Sequence, residues 1–431
     1  MVRRSVTPLF IGTLVLRSNS GASTVVLGLL LSQLATPGHS LHAITSLQVG
    51  LLPVAFYITE LSLAPFLGGL SDRWGRRRFL IIGPFFGFAQ AILLFFTPVA
   101  NPLPYLLALQ VLAGVSGAMT TPAVLGYLAD YTAQRQVHRM RIMSFYELVT
   151  SGGIAVGTVI GGVAWDHLGR YAFALFAVFY LVGVVCMALS PVVNQVAAHG
   201  EFRQVVDRYW RILRTPRLFI FIPAWLCISA LVGIWLSSQV TFILTTSKPF
   251  PHQLLMGSIS GHHGGSQLSL VLGGYVLFFG LCLLFWAFFL NRAPRLHLML
   301  TSVVGVYLAC VALFGMNHRG LGNDWLFYIW VPILLVGIFA ETSFAPAALA
   351  YLADISEDAA RDRGLVMGLY SIFLGLGQIL GNGLGGVFAH SFGFDGLIYL
   401  TVILAFIALL SLLWLFKQEK RFRLKRTASL V

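Results

Sequence analysis

Gly68-Gly69-Leu70-Ser71-Asp72-Arg73-Trp74-Gly75-Arg76-Arg77-Arg78 places one acid among four arginines in a short turn. Apolar runs flank it, from about residue 43 to 67 before it and from 79 to 98 after it. Each run is near the ~20 residues that a helix needs to cross the hydrocarbon of a bilayer. A basic turn between two such runs belongs on the cytoplasmic face, where lysine and arginine collect. Gly68 and Gly75 let the backbone turn tightly there.

The whole chain has the composition of those two runs. Of its 431 residues 58% are hydrophobic and 10% charged, against about 25% charged in soluble domains. Mean hydropathy is +0.84. So much apolar surface excludes an ordinary soluble enzyme and implies contact with lipid. Breaks rich in charge, glycine or proline delimit twelve spans, near 8 to 34, 43 to 67, 79 to 98, 103 to 129, 141 to 164, 171 to 190, 218 to 246, 267 to 290, 296 to 316, 325 to 353, 364 to 389 and 394 to 416. The apolar run that opens the chain carries no small-residue cleavage site and reads as the first span rather than a secretory leader.

If both termini are cytoplasmic, all of the 28 basic residues except Arg17, Arg170, Lys248 and Arg319 fall on inside segments. This orientation satisfies the positive-inside rule. It also accounts for the net charge of +13 without nucleic acid, since the basic residues are spread over short segments at an anionic lipid face. The longest polar break, 191–217, separates a six-helix bundle over 1–190 from a second over 218–416, and 417–431 forms a basic cytoplasmic tail. Cys186, Cys227, Cys282 and Cys310 lie inside apolar runs with no metal or disulfide spacing and read as packing residues.

The two sets of six spans repeat one another. An offset of 224 residues superposes Tyr127-Leu128-Ala129-Asp130 on Tyr351-Leu352-Ala353-Asp354 and Pro122 on Pro346. It carries Arg139, Met143 and Tyr146 onto Arg363, Met367 and Tyr370, and Gly153, Gly157, Gly161 and Gly162 onto Gly377, Gly381, Gly385 and Gly386. A parallel six-span repeat points to a two-bundle transporter. The fold class expected is therefore an all-α polytopic membrane protein of twelve helices in two related bundles.

The turn at 68–78 resembles the G-x-L-S-D-R-x-G-R-R signature of the major facilitator superfamily, and with the repeat the resemblance covers essentially the whole chain. It implies a cytoplasmic latch of Gly68, Asp72, Arg73, Gly75, Arg76 and Arg77. Asp72 would meet the start of span eleven near Arg363 and Gly364, Arg76 would reach Asp130 at the end of span four, and Asp354 is the repeat partner of Asp130. The stripe Gly153-x-x-x-Gly157-Thr158-x-x-Gly161-Gly162 is similar to the G-x-x-x-G-P-x-x-G-G signature of the twelve-helix drug/proton antiporter branch, with Thr158 in place of proline. Such a stripe also serves close helix packing. Gln110-x-x-x-Gly114 stands where many of these antiporters carry R-x-x-x-G, so the arginine is missing.

Ionisable groups in a span are costly and mark function. Arg17 lies about 16 Å into span one, and Glu341 about 20 Å from Asp354 on span ten. By the resemblance, spans one, four, seven and ten line a central cavity. Glu341 would then carry a proton or hold a cationic substrate, while Arg17 pairs with it or holds an anion; a static ion pair is the structural alternative. Glu60 and Glu147, nearer the cytoplasmic side, and Gln110 are further candidates for gating or substrate and proton handling. His252, His262 and His263 lack the carboxylates and cysteines that would complete a metal site, and P-loop and nucleophile motifs are missing.

The expected function is secondary active transport by alternating access in the plasma membrane, with proton-coupled export of drug-like or amphipathic small molecules. Uptake or facilitated diffusion of a metabolite or organic anion is the first alternative, and a lipid flippase or non-transporting sensor the second. The expected partners are a small-molecule substrate, protons as coupling ion and the bilayer, acting on a monomer with no cofactor, no metal and no enzymatic activity.

Overall fold

A computed structural model of the chain describes residues 6–35, 44–132, 136–191, 213–246, 250–259, 264–289, 294–318, 325–357 and 363–428. Among these residues all regular structure is helical. Six helices form a first series: α1 (Thr7–Ala35), α2 (Ser46–Trp74), α3 (Arg76–Phe95), α4 (Pro102–Thr132), α5 (Gln136–Leu168) and α6 (Ala172–Ala188). The second series comprises α7 (Pro216–Trp235), α8 (Ser238–Thr245), α9 (Gly264–Phe289), α10 (Arg295–His318), α11 (Trp325–Glu341), α12 (Phe344–Glu357), α13 (Arg363–Phe392) and α14 (Phe394–Ala428). Among the described residues eleven stretches are long and apolar enough to cross a membrane, and one of them, Leu148–Ala188, holds the later part of α5 and all of α6. The twelve crossings read from the sequence are therefore present.

Two of those crossings are not single helices. Span seven breaks after Trp235, where Ser237 leaves helical geometry and its hydroxyl accepts from the Gln239 amide to cap α8. Span ten breaks after Glu341. Pro346 has no N–H to offer the Thr342 carbonyl, and the Thr342 and Ser343 hydroxyls turn back to Phe339 O (2.8 Å) and Ala340 O (2.7 Å). Local side-chain bonds of this kind compete with the helix ladder. Helix α2 also runs further than the apolar run suggests, through the basic turn to Trp74, after a capping box in which Thr45 and Gln48 bond each other's backbone.

The chain clusters into two compact units. Unit 1 holds Met1–His199 with Ser237–Ser247 and Gly257–Phe278; unit 2 holds Gly200–Leu236, Lys248–Met256 and Phe279–Val431. In unit 1, α1 packs on α5 and α6, while α3 packs on α4 and α6. In unit 2, α7 packs on α13 and α14, while α10 packs on α11 and α14. These partner choices are the same, so the repeat in the sequence is in these pairs a repeat of packing, whereas the extensive packing of α2 on α4 has no equally extensive counterpart of α9 on α11 or α12 among the described residues. The unit 1 core gathers Leu9, Phe79, Leu80, Ala123, Tyr127, Leu128, Tyr146 and Met187 from five of its helices, α1, α3, α4, α5 and α6.

Candidate functional site

The basic turn is built on one backbone feature. Gly75 has φ +100°, a conformation that L side chains rarely adopt, and its N–H closes α2 on the Ser71 carbonyl at 3.0 Å. Helix α3 starts at the next residue, which brings three arginines into its first turn. Arg77 donates to the Ala188 carbonyl at the end of α6, and the Arg76 guanidinium covers Gly126 of α4, where any Cβ would overlap it. Arg73 is exposed. Gly68 does not turn the chain as expected. It lies inside α2 facing Pro122, because the helix continues to Trp74. The side chains of Asp72, Asp130, Glu147 and Asp354 lie outside the described residues.

Unit 2 repeats this arginine contact, which sequence reasoning missed. Arg295 Nη1, at the start of α10, donates to Ala350 O of α12 at 2.9 Å. The offset of 224 that pairs Pro122 with Pro346 also pairs Gly126 with Ala350. In each unit an arginine opening the third span therefore meets the same position of the fourth.

Deeper in unit 1 lies a cluster of polar groups. Glu60 is the central residue of α2, which runs on through the basic turn to Trp74. Its carboxyl bonds the Thr121 side chain and feels the charge of Arg17, which also acts on the Tyr57 and Tyr180 hydroxyls. Gly117 of α4 makes room for it: a Cβ there would stand 2.9 Å from Glu60 Oε1. Arg17 is seated against Gly153 of α5, where a Cβ would be 2.9 Å from its own. The Asn19 carboxamide is fully buried and faces Tyr180 without closing a hydrogen bond of normal geometry. Gln110 is buried on α4, two turns before Gly117.

The offset of 224 carries Gly117 onto Glu341. In unit 1 the carboxylate over this position comes from α2, and in unit 2 it is on span ten itself. Glu341 is the last residue of α11, at the break. Gly305 of α10 lies directly against the Glu341 backbone, with the Cβ position 2.5 Å from Glu341 N. Ser343 Oγ donates to Leu298 O at 2.9 Å and so holds the break against α10. Interrupted helices in mid-membrane are where transporters of repeat architecture place their substrate and ion sites.

The glycine stripe packs α5 on α1. Gly157 abuts the Ser18 carbonyl and Gly161 the Ala22 backbone; in unit 2, Gly377 and Gly381 of α13 abut Ser229 and Ala230 of α7 in the same way. Gly162 lies on Gly265 and Ser269. At the end of α5 remote from the arginines, Asp166 accepts from Gly265 N (2.9 Å), Ser266 N (2.7 Å) and the Ser266 hydroxyl. It caps α9 from a different helix. Asp166→Ala is expected to destabilise the protein by about 0.5–2 kcal/mol, the range for a lost helix cap, with Asp166→Asn in between. Thermal melts in detergent decide it: unchanged melting of Asp166→Ala would remove Asp166 as a cap. In unit 2 the corresponding end is tied by Asp395, which accepts from Asn317 Nδ2 at 2.8 Å and Gln253 Nε2 at 3.2 Å and lies 2.9 Å from His318 Nε2.

Two bundles with matching helix pairs, a carboxylate at or over the same repeat position of the fourth span and an arginine-rich turn define a polytopic membrane transporter. The chain belongs to the Major Facilitator Superfamily, whose model matches residues 9–259 and 253–429. It is 23% identical over 376 residues to Multidrug resistance protein 1 of Bacillus subtilis (strain 168), covering 86% of this chain and 88% of that protein. It is 22% identical to Quinolone resistance protein NorA of Staphylococcus aureus (strain COL), covering 78% of this chain and 80% of NorA. Among solved structures, the nucleoside transporter NupG matches with a TM-score of 0.70 at 14% identity over 96% of this chain and 98% of NupG, a likeness of fold.

Proposed function

We propose that this protein exports amphipathic, drug-like compounds across the plasma membrane in exchange for protons, by alternating access, with both termini in the cytoplasm. The observation that carries the reading is the end-to-end similarity to multidrug and quinolone resistance proteins. Glu341 at the break of span ten supports the proton step, because a carboxyl at an interrupted helix can be neutralised by a proton and ionised again as its surroundings change. The protein works as a monomer of two six-helix bundles joined through 191–217, without a cofactor and without enzymatic activity. Glu60 and Arg17 serve the same exchange in unit 1, and Arg73, Arg76 and Arg77 with Asp72, Asp130 and Asp354 close the cytoplasmic side.

The test uses everted vesicles with an acid lumen and a pH-reporting dye. Lipophilic cations, organic anions and neutral amphiphiles are added in turn. Substrate-dependent proton release is expected with the wild type and is expected to vanish in Glu341→Gln. Folded protein that releases no protons with any compound, or Glu341→Gln behaving as wild type, would sink the corresponding part of the reading.

A further inference from the structure

On the outer surface of unit 2, α7 and α14 leave a groove between them. Two adjoining depressions of about 270 and 320 Å³ share Phe219, Ile220 and Trp414. One opens at the basic end beside Pro216, Arg217 and Glu419; the other continues along Pro223, Ile407 and Leu410. Pro223 removes the N–H that would bond the Phe219 carbonyl, and Ser411 ties the Ile220 carbonyl to α14. Phe219, Leu410 and Trp414 remain 65%, 52% and 55% exposed. In a helix pair of a membrane protein, such residues face lipid.

The length of the groove fits one leaflet. From Ile407 to Glu419 α14 rises about 18 Å, against about 15 Å for half of the hydrocarbon core. Trp414 stands where the groove reaches the basic end, the level at which tryptophan anchors at an interface. At the mouth Arg217 lines the groove together with Glu419, and Arg214 and Lys417 lie within three residues of Arg217 and Glu419 in the sequence, three basic residues against one acid. Arg217 and Glu419 also act on the buried Tyr351 hydroxyl behind the mouth. Lys420, Arg421 and Arg423 follow in the sequence of α14.

We infer that this groove is a binding site for one anionic phospholipid of the bilayer, with an acyl chain lying along Phe219, Pro223, Ile407 and Leu410 and its phosphate at Arg217. Apolar walls open to the side select an acyl chain over a compact solute. The excess of basic side chains at headgroup level selects an anionic head over a zwitterionic one. The site concerns α7 and α14 alone and does not depend on which solute the protein carries.

Native mass spectrometry of the full chain, released from nanodiscs of equal phosphatidylglycerol and phosphatidylcholine, tests it. One retained phosphatidylglycerol per chain is expected, preferred by about tenfold, or about 1.4 kcal/mol. Arg217→Gln is expected to bring the two lipids near parity, and Leu410→Trp, which fills the groove, to lose both. Equal retention of the two lipids by the wild type overturns the assignment. Should either variant fail to fold, photoactivatable phosphatidylglycerol on the wild type replaces it: labelling confined to 216–223 and 407–419 supports the site, and labelling around the whole perimeter overturns it. Disulfide-linked pairs formed in the bilayer by Trp414→Cys would place a second copy in the groove and overturn it as well.

Discussion

Gly157→Ala is expected to abolish accumulation of folded protein, and Gly381→Ala to do the same from the other half of the chain. A Cβ at 157 would overlap the Ser18 carbonyl and one at 381 the Ala230 carbonyl. Both obstacles are backbone atoms in a helix, which no rotamer change can move. Relief requires the helices to part by roughly an ångström along the seam, with loss of the dispersion contacts that hold it. Overpacking costs about 1–3 kcal/mol in cores that can adjust, and a blocked helix pair lies at or beyond the top of that range. Gly152→Ala is the control, since nothing lies within 4 Å of a Cβ there and alanine favours the helix by about 1 kcal/mol. Size-exclusion profiles and melting of detergent extracts decide the matter. A Gly157→Ala protein that melts like Gly152→Ala would remove the packing role and leave the stripe to be explained as a feature of export.

Gly157 resembles part of an antiporter signature, yet its repeat partner Gly381 meets α7 just as Gly157 meets α1. A contact made in both halves is explained by the repeat itself. Thr158, where the signature has proline, lies within α5 and keeps a backbone N–H for the helix ladder; its hydroxyl also donates to Ile154 O at 2.9 Å, and its own carbonyl accepts from Ser269 Oγ at 2.8 Å. With proline there, the amide donated to Ile154 would be missing.

The crossings were legible in the sequence because lipid demands long apolar runs and because basic residues punctuate them. The repeat was legible because identical residues recur at one offset. The breaks in spans seven and ten were not, since Ser237 and the Thr342-Ser343 pair are too small and too few to interrupt an apolar run. Their effect comes from where a hydroxyl finds a carbonyl, as Ser343 does on both Ala340 and Leu298. The cap at Asp166 escaped for a related reason: its partners lie 99 and 100 residues away, and an acid at a span end reads as solvated. Arg295 was visible only as an inside charge. The continuation of α2 to Trp74 was hidden as well, because charge alone made the turn after it look like loop.

Arg17→Leu is expected to cost up to about 3–5 kcal/mol, the upper figure being that for a fully buried pair, because Glu60 lies within reach of the Arg17 charge inside the span, and to abolish transport. Glu60 would keep its bond to Thr121 and its seat over Gly117, but its charge would have lost the guanidinium that acts on it. The double variant Arg17→Leu with Glu60→Leu separates structure from function. Replacing a buried pair by apolar residues of similar size is often neutral or stabilising, so the double variant should regain most of the lost stability. It should not regain substrate-dependent proton release, because Glu60, the carboxyl that lies over the repeat position of Glu341, would be gone. Melting in nanodiscs and proton release in everted vesicles are read on all three proteins. Wild-type melting of Arg17→Leu would mean that the two charges do not support each other, whereas full recovery of coupled export in the double variant would reduce the pair to scaffolding and leave Glu341 to carry the proton without a partner from the first half.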